Sequence, residues 1–263
     1  AADQHWIKAA GAGGSWSGGA TNWTTRTPLP QDDVYFDFAF GTSQTITGDM
    51  PRLGKSISFT GATWTTALTL ALNQATSIFG SFTSITGLTH TNNAVNVTFE
   101  GRSSYTLDTK SINFGNNFVM DAPGGTLTLQ VALSGNSSRT FALTKGTFNA
   151  VSFDVTFLTF IVQSFASSIL TMGSGTWTCT GTGAVFTANN SSVINAGTST
   201  IKITDASATG KTFAGSGKTY NNLWFAVGAG TASLTVSGSN TFNDFRDSGT
   251  VAHSILFTAG TTN

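Results

Sequence analysis

Thr219-Tyr-Asn-Asn-Leu-Trp-Phe225 returns 22 residues later as Thr241-Phe-Asn-Asp-Phe-Arg-Asp247. In both copies a hydroxyl residue and an aromatic precede one or two Asn, and a large apolar residue follows. A third version is Thr147-Phe-Asn-Ala-Val-Ser-Phe153, and Lys55-Ser-Ile-Ser-Phe59 has a partner in Lys110-Ser-Ile-Asn-Phe114. The corresponding apolar positions are Ile57, Ile112, Val151, Leu223 and Phe245, separated by 55, 39, 72 and 22 residues. Those gaps approximate three, two, four and one copies of a unit of about 18 to 22 residues, the size of a solenoid rung with three short strands.

Working outward, the intervening sequence alternates apolar and polar residues with the period of a strand. Ile57 with Phe59, Leu68 with Leu70 and Leu72, Val95 with Val97 and Phe99, and Leu127 through Leu133 each fall on one face. Ile201 with Ile203 and Leu234 with Val236 continue the pattern, and clusters such as Ser134-Gly-Asn-Ser-Ser138 supply turns. Val151, Phe153, Val155 and Phe157 are expected to face one core, with Asp154 pointing outward. No helical period is found. An antiparallel sandwich would also contain many short strands, but it would not require a recurring motif.

The expected fold is therefore all-β, a right-handed parallel β-helix of roughly ten rungs and a length of about 50 Å at one strand spacing per rung. Inward Phe, Leu, Ile and Val would stack into ladders. Asn beside an inward residue, as in Phe148-Asn149 and Tyr220-Asn221-Asn222, would sit at a tight corner and reach the next rung. Residues 51–263 are assigned to the helix, continuing beyond the chain if more sequence follows.

Residues 1–50 differ and are assigned to an irregular cap. Trp6, Trp16 and Trp23 lie among Gly-rich spacers, and indoles held by loops would cover the apolar first rung. At the other end the chain reaches Thr261-Thr-Asn263 directly after Ile255-Leu-Phe257, without an obvious polar cap. Another subunit or further chain is expected to cover that end.

Composition bounds the function. Charged residues are only 9% of the 263, and 12 basic residues balance 12 acidic ones. No net field exists to hold nucleic acid or an anionic membrane. Substantial apolar content with 21 Phe excludes disorder. A sparsely charged surface favours residence in an oligomer or particle. The most apolar stretch, Ala150 to Met172, is broken by Asp154 and Gln163, so no membrane-inserting segment is read. The chain opens without a basic-then-apolar signal peptide.

The opening carries a resemblance. Trp6, Gly13-Gly-Ser-Trp16, Asn22-Trp23 and Pro30-Gln-Asp-Asp-Val-Tyr-Phe-Asp37, followed by the Thr219 and Thr241 motifs, resemble β-helical proteins of tailed-phage virions and some bacterial surface adhesins. The resemblance implies a structural virion role as tail fibre, spike or capsid-attached protein, with other virion proteins and a host-surface glycan as partners. It also implies a homotrimer. Alternatives are a polysaccharide-degrading tailspike enzyme and a secreted or cell-surface adhesin.

Residues able to do chemistry are few. Gly215-Ser-Gly-Lys-Thr219 and Gly210-Lys-Thr212 look like the end of a phosphate loop, but Thr212 and Asp205 stand where its first Gly is needed. His5, His90 and His253 lack metal-ligand spacing and are expected in loops or at the surface. Asp32, Asp33 and Asp37 cluster, though without a calcium-loop pattern, and are read as turn residues. Cys179, between Thr178 and Thr180, is read as a small buried side chain. Thr176, Thr178 and Thr180 share a face, as in an ice-binding array, but do not recur on every rung. Asn22, Asn96, Asn136 and Asn189 match glycosylation acceptors, which Asn- and Thr-rich chains generate freely. For glycoside hydrolysis the best pair is Glu100, in Glu100-Gly-Arg102, with Asp121; Asp108 and Asp154 are the other acids of the middle region. No catalytic, cofactor-binding or metal residue is assigned, and the expected activity is none.

Overall fold

The computed structural model describes residues 1–8, 13–40, 43–65, 67–163 and 167–258. The protein is all-β, with one 3-10 turn at Gly19–Thr21 among the described residues, and its parallel sheets stack as a β-solenoid of about 10 turns. Two compact units divide it, Ala1–Leu133 and Ser134–Asn263.

In the first unit, strands Asp3–His5, Asp33–Tyr35, Ile57–Ser58, Phe82–Thr83 and Ser104–Asp108 pair in parallel in that order. A second ladder runs through Arg52–Gly54, Thr76–Ile78 and Asn96–Phe99, and a third through Gly14–Ser15, Gln44–Gly48, Leu68–Leu72 and Leu88–His90. Strand Asn117–Leu129 joins the first two, pairing with Asn96–Phe99 through its first half and with Ser104–Asp108 through its second. It bends at Pro123-Gly124, where Gly124 takes φ +75°. At Gly125 a Cβ would lie 1.9 Å from the Gly101 carbonyl oxygen, so the corner closes only on glycine. Segment 1–50 thus contributes strands to the same parallel ladders as the residues that follow it.

The interior explains the burial alternation. Trp6, Trp16, Trp23 and Phe36 form one cluster with ring centres 5.0 to 5.6 Å apart. Phe36 stacks on Phe59 at 4.3 Å, and the column continues to Phe82, His90, Phe114 and Phe118. Two indole N–H groups donate to backbone, Trp16 Nε1 to Leu53 O and Trp23 Nε1 to Trp16 O. Asp32 staples the cluster's loops: Arg26 and the Leu29 and Ala2 N–H groups donate to its carboxylate. Burial opposes that charge, but these donors outweigh it and bring the Asp32 pKa down to about 2.

The second unit repeats the scheme. Val155–Phe157, Thr176–Cys179, Thr200–Ile203, Thr219–Phe225 and Thr241–Asp247 form one parallel ladder. Thr140–Asn149 pairs with both Thr159–Val162 and Ser168–Thr171; the line then runs through Gly183–Ala188, Lys211–Ala214, Leu234–Ser237 and Ile255–Phe257. Inside lie Phe141, Phe148, Phe160, Trp177, Phe186, Phe213, Tyr220 and Phe242. Asn221 and Asn222 donate to Ser199 O and Thr200 Oγ1 on the preceding rung, whereas Asn149 accepts the Val151 N–H within its own turn.

Several expectations are corrected. The Thr219 and Thr241 motifs are adjacent rungs, with Leu223 opposite Phe245, but Ile112 and Val151 are outside any such column. Ile57 stacks between Val34 and Phe82. Lys110 and Ser111 take φ of 54° and 59°, so Lys110-Ser-Ile is a turn where Lys55-Ser-Ile leads into a strand. Val151 has φ 58° and is 46% exposed, and Phe153 is half-buried; only Val155 and Phe157 face the core. The turn is closed by the Phe153 N–H to Ala150 O, and it overrides the apolar alternation. Rung length also varies more widely than expected, from 19 residues between Phe141 and Phe160 to 32 between Gly14 and Ile46. The expectation about Thr261-Thr-Asn263 lies outside the described residues.

Candidate functional site

In the first unit, parallel register places Gly54, Ile78, Phe99 and Met120 at equivalent positions of successive strands. One residue further along stand Lys55, Phe79, Glu100 and Asp121. With Pro30, Arg102 and Ser103 these residues line an open cleft of about 430 Å³ on the solenoid flank. The solenoid thus brings together Glu100 and Asp121, the pair singled out from the sequence, with Arg102 beside them. Their backbones are one strand spacing apart, about 4.8 Å.

The cleft's polar groups are partly engaged. Glu100 Oε1 accepts from Ser77 Oγ at 2.6 Å, and the Lys55 ammonium pairs with Asp33 at 3.2 Å. Phe79 is half-buried, offering apolar surface between the charges. The cleft therefore presents two carboxylates, a guanidinium and an aromatic to anything lying along the flank. Asp108 pairs with Lys110, and Asp154 accepts the Thr176 N–H; neither lines the cleft.

The remaining sequence candidates are placed by their neighbours. Asp32, Asp33 and Asp37 have separate partners, Arg26, Lys55 and His5. Among the described residues no group of three metal-ligating side chains forms. Gly215-Ser-Gly-Lys-Thr219 is a turn between strands: the Gly217 N–H goes to Asn240 Oδ1 and the Lys218 ammonium to Asn190 O, which removes the donors a phosphate would need. Cys179 is fully buried between Phe157 and Ile203, and burial pushes its thiol pKa up. Thr178 is followed in its column by Lys202, so the threonine row stops there. Asn22 is buried and donates to Ser15 O.

His5 and His253 pair with Asp37 and Asp247, but His90 departs from expectation. It is buried in the core between Phe82 and Phe114, and neither ring nitrogen has a hydrogen-bond partner among the described residues. Burial alone pushes its pKa down to about 4, so the ring is neutral. The Leu88-Thr89-His90 alternation could have revealed the inward position. Lys211 was also missed as a buried residue: its ammonium pairs with Asp205 at 2.7 Å and donates to Ser207 O, tying down the loop before its strand. Burial works against the Asp205 charge, but Lys211 and Ser207 outweigh it and hold its pKa below the usual range.

Among the described residues no helix is long and apolar enough to cross a membrane. No family model matches the chain, and neither a curated protein nor a solved structure matches it.

Proposed function

We propose that the chain is a non-enzymatic structural component of a phage virion, a fibre, spike or capsid-attached protein whose flank meets a host-surface glycan. The observation that carries this reading is the aromatic interior. Stacked rings lock successive rungs together, so each unit holds its shape while presenting mainly Thr, Ser and Asn outward. Ion pairs such as Lys110 with Asp108 and Lys211 with Asp205 are closed within single turns, as suits charges that fix loops. The Trp-rich opening adds its similarity to virion proteins, and with it the expectation of a trimer. Antibodies raised to the chain should label purified particles, and light scattering should give three chains per assembly. A protein found only in the soluble cell fraction would overturn the virion reading.

A second reading, cleavage of polysaccharide, is favoured by the register of Glu100 and Asp121. Their backbones stand one strand spacing apart, about 4.8 Å, close to the carboxyl separation of about 5 to 5.5 Å that double-displacement glycoside hydrolysis uses. Reducing ends released from envelope polysaccharide, and lost in Glu100→Gln or Asp121→Asn, would replace the structural reading with this one.

A further inference from the structure

Lys202, Trp224 and Arg246 occupy one outward column on three successive strands of the second unit. The Lys202 ammonium lies 4.1 Å from the centre of the indole, and the Arg246 guanidinium carbon lies 4.3 Å from it. Because the cations come from the rungs before and after, they take opposite faces of the ring. The ring is fixed by its Nε1–H, which donates to Ser248 Oγ at 2.9 Å. Lys55, Lys110, Lys211 and Arg26 each have a carboxylate partner; among the described residues Lys202 and Arg246 have none. The backbones of the two residues stand about two strand spacings apart, roughly 10 Å, and their unneutralised cations are held on the ring no more than about 8.4 Å apart.

A second outward column runs beside them, with Thr176, Thr200, Asn222 and Asp244 in register. With Trp224 and Arg246 these residues line a cleft of about 240 Å³. The column supplies hydroxyl, amide and carboxylate groups at one per rung, matching the alternating donors and acceptors of sugar hydroxyls. A pyranose is about as long as a rung, so a sugar chain lying along the stack meets equivalent groups at each residue.

We propose that this face binds an acidic polysaccharide laid along the stack, with carboxylates on alternate sugars engaging Lys202 and Arg246. The inference rests on the reading of the flank as a glycan contact, and it names the glycan class and the place. Trp224 acts as a positioning residue, holding both cations in place before the ligand arrives. Asp244 accepts sugar hydroxyls, and its charge disfavours the unbroken charge of a phosphodiester chain.

Calorimetry with a hyaluronan hexasaccharide, which alternates glucuronate and N-acetylglucosamine, tests the proposal against a neutral dextran hexasaccharide and a thymidine hexanucleotide. Wild type should bind the acidic hexasaccharide only. Lys202→Gln and Arg246→Gln should each weaken binding about tenfold, and the double variant should abolish it with Tm unchanged. The proposal is overturned by failure of wild type to bind, by equal binding in the double variant, or by equal binding of the hexanucleotide. If binding fails while the chain still labels particles, this inference falls and the virion reading stands; binding by a chain absent from particles has the reverse meaning.

Discussion

The first turns and the last described turn cover their aromatic residues differently. At the start, Trp6, Trp16 and Trp23 close around Phe36, and Asp32 ties the surrounding loops through Arg26, Leu29 and Ala2. At Ile255–Phe257 the inward Phe257 is 39% exposed and leans on a half-buried Phe245 at 5.0 Å. A stacked core gains from each rung only where a neighbour covers both faces. Trp23 and Phe257 therefore carry unequal weight, and the turn-by-turn stability of the second unit should fall toward Phe257.

The largest expected effect is at the covered end. Trp23→Ala removes a fully buried indole together with its hydrogen bond to Trp16 O, and should cost about 3 to 5 kcal/mol in denaturant unfolding. A loss under about 1 kcal/mol would mean the cluster does not hold the first turns. The next effect is acid sensitivity in the middle of the first unit. Between pH 6.5 and about 4 the unfolded chain takes a proton on His90 that the folded core refuses. Stability from this residue is complete above pH 6.5 and is lost as pH falls to about 4, by about 3 kcal/mol in all. His90→Phe should extend the Phe82 and Phe114 column and remove that part of the pH dependence; an unchanged slope in the variant would place the imidazole in contact with water. The smallest effect is at the exposed end, where Phe257→Ala should cost no more than about 1 kcal/mol. A cost equal to that of Trp23→Ala would erase the contrast.

Much of this was legible because a solenoid interior imposes strict alternation. Leu68 through Leu72 and Ile201 with Ile203 read as inward faces, and they are buried. The Thr219 and Thr241 motifs read as neighbouring rungs because their Asn, Leu and Phe groups stack on one another. Turns were not legible in the same way. Lys110, Ser111, Val151 and Ser216 take left-handed backbone without glycine, so no residue type announced the corners, and Val151 passed for a core residue. Glu100 and Asp121 could be linked because they are one rung apart. The Lys202, Trp224 and Arg246 column carried a signal too, a constant offset of 22 residues, but its meaning depends on knowing that all three side chains point outward.

The central claim is the parallel register itself, and a cross-link reads it directly. Thr200 and Asn222 are in-register partners whose side chains meet, Nδ2 to Oγ1 at 3.3 Å. Neighbouring parallel backbones stand about 4.8 Å apart, inside the range a disulfide spans. In a Cys179→Ala background, Thr200→Cys with Asn222→Cys should oxidise to an intramolecular disulfide seen by mass spectrometry. Thr200→Cys with Trp224→Cys, two residues out of register, should remain reduced. Cross-linking of the second pair in preference to the first would contradict the stacked solenoid.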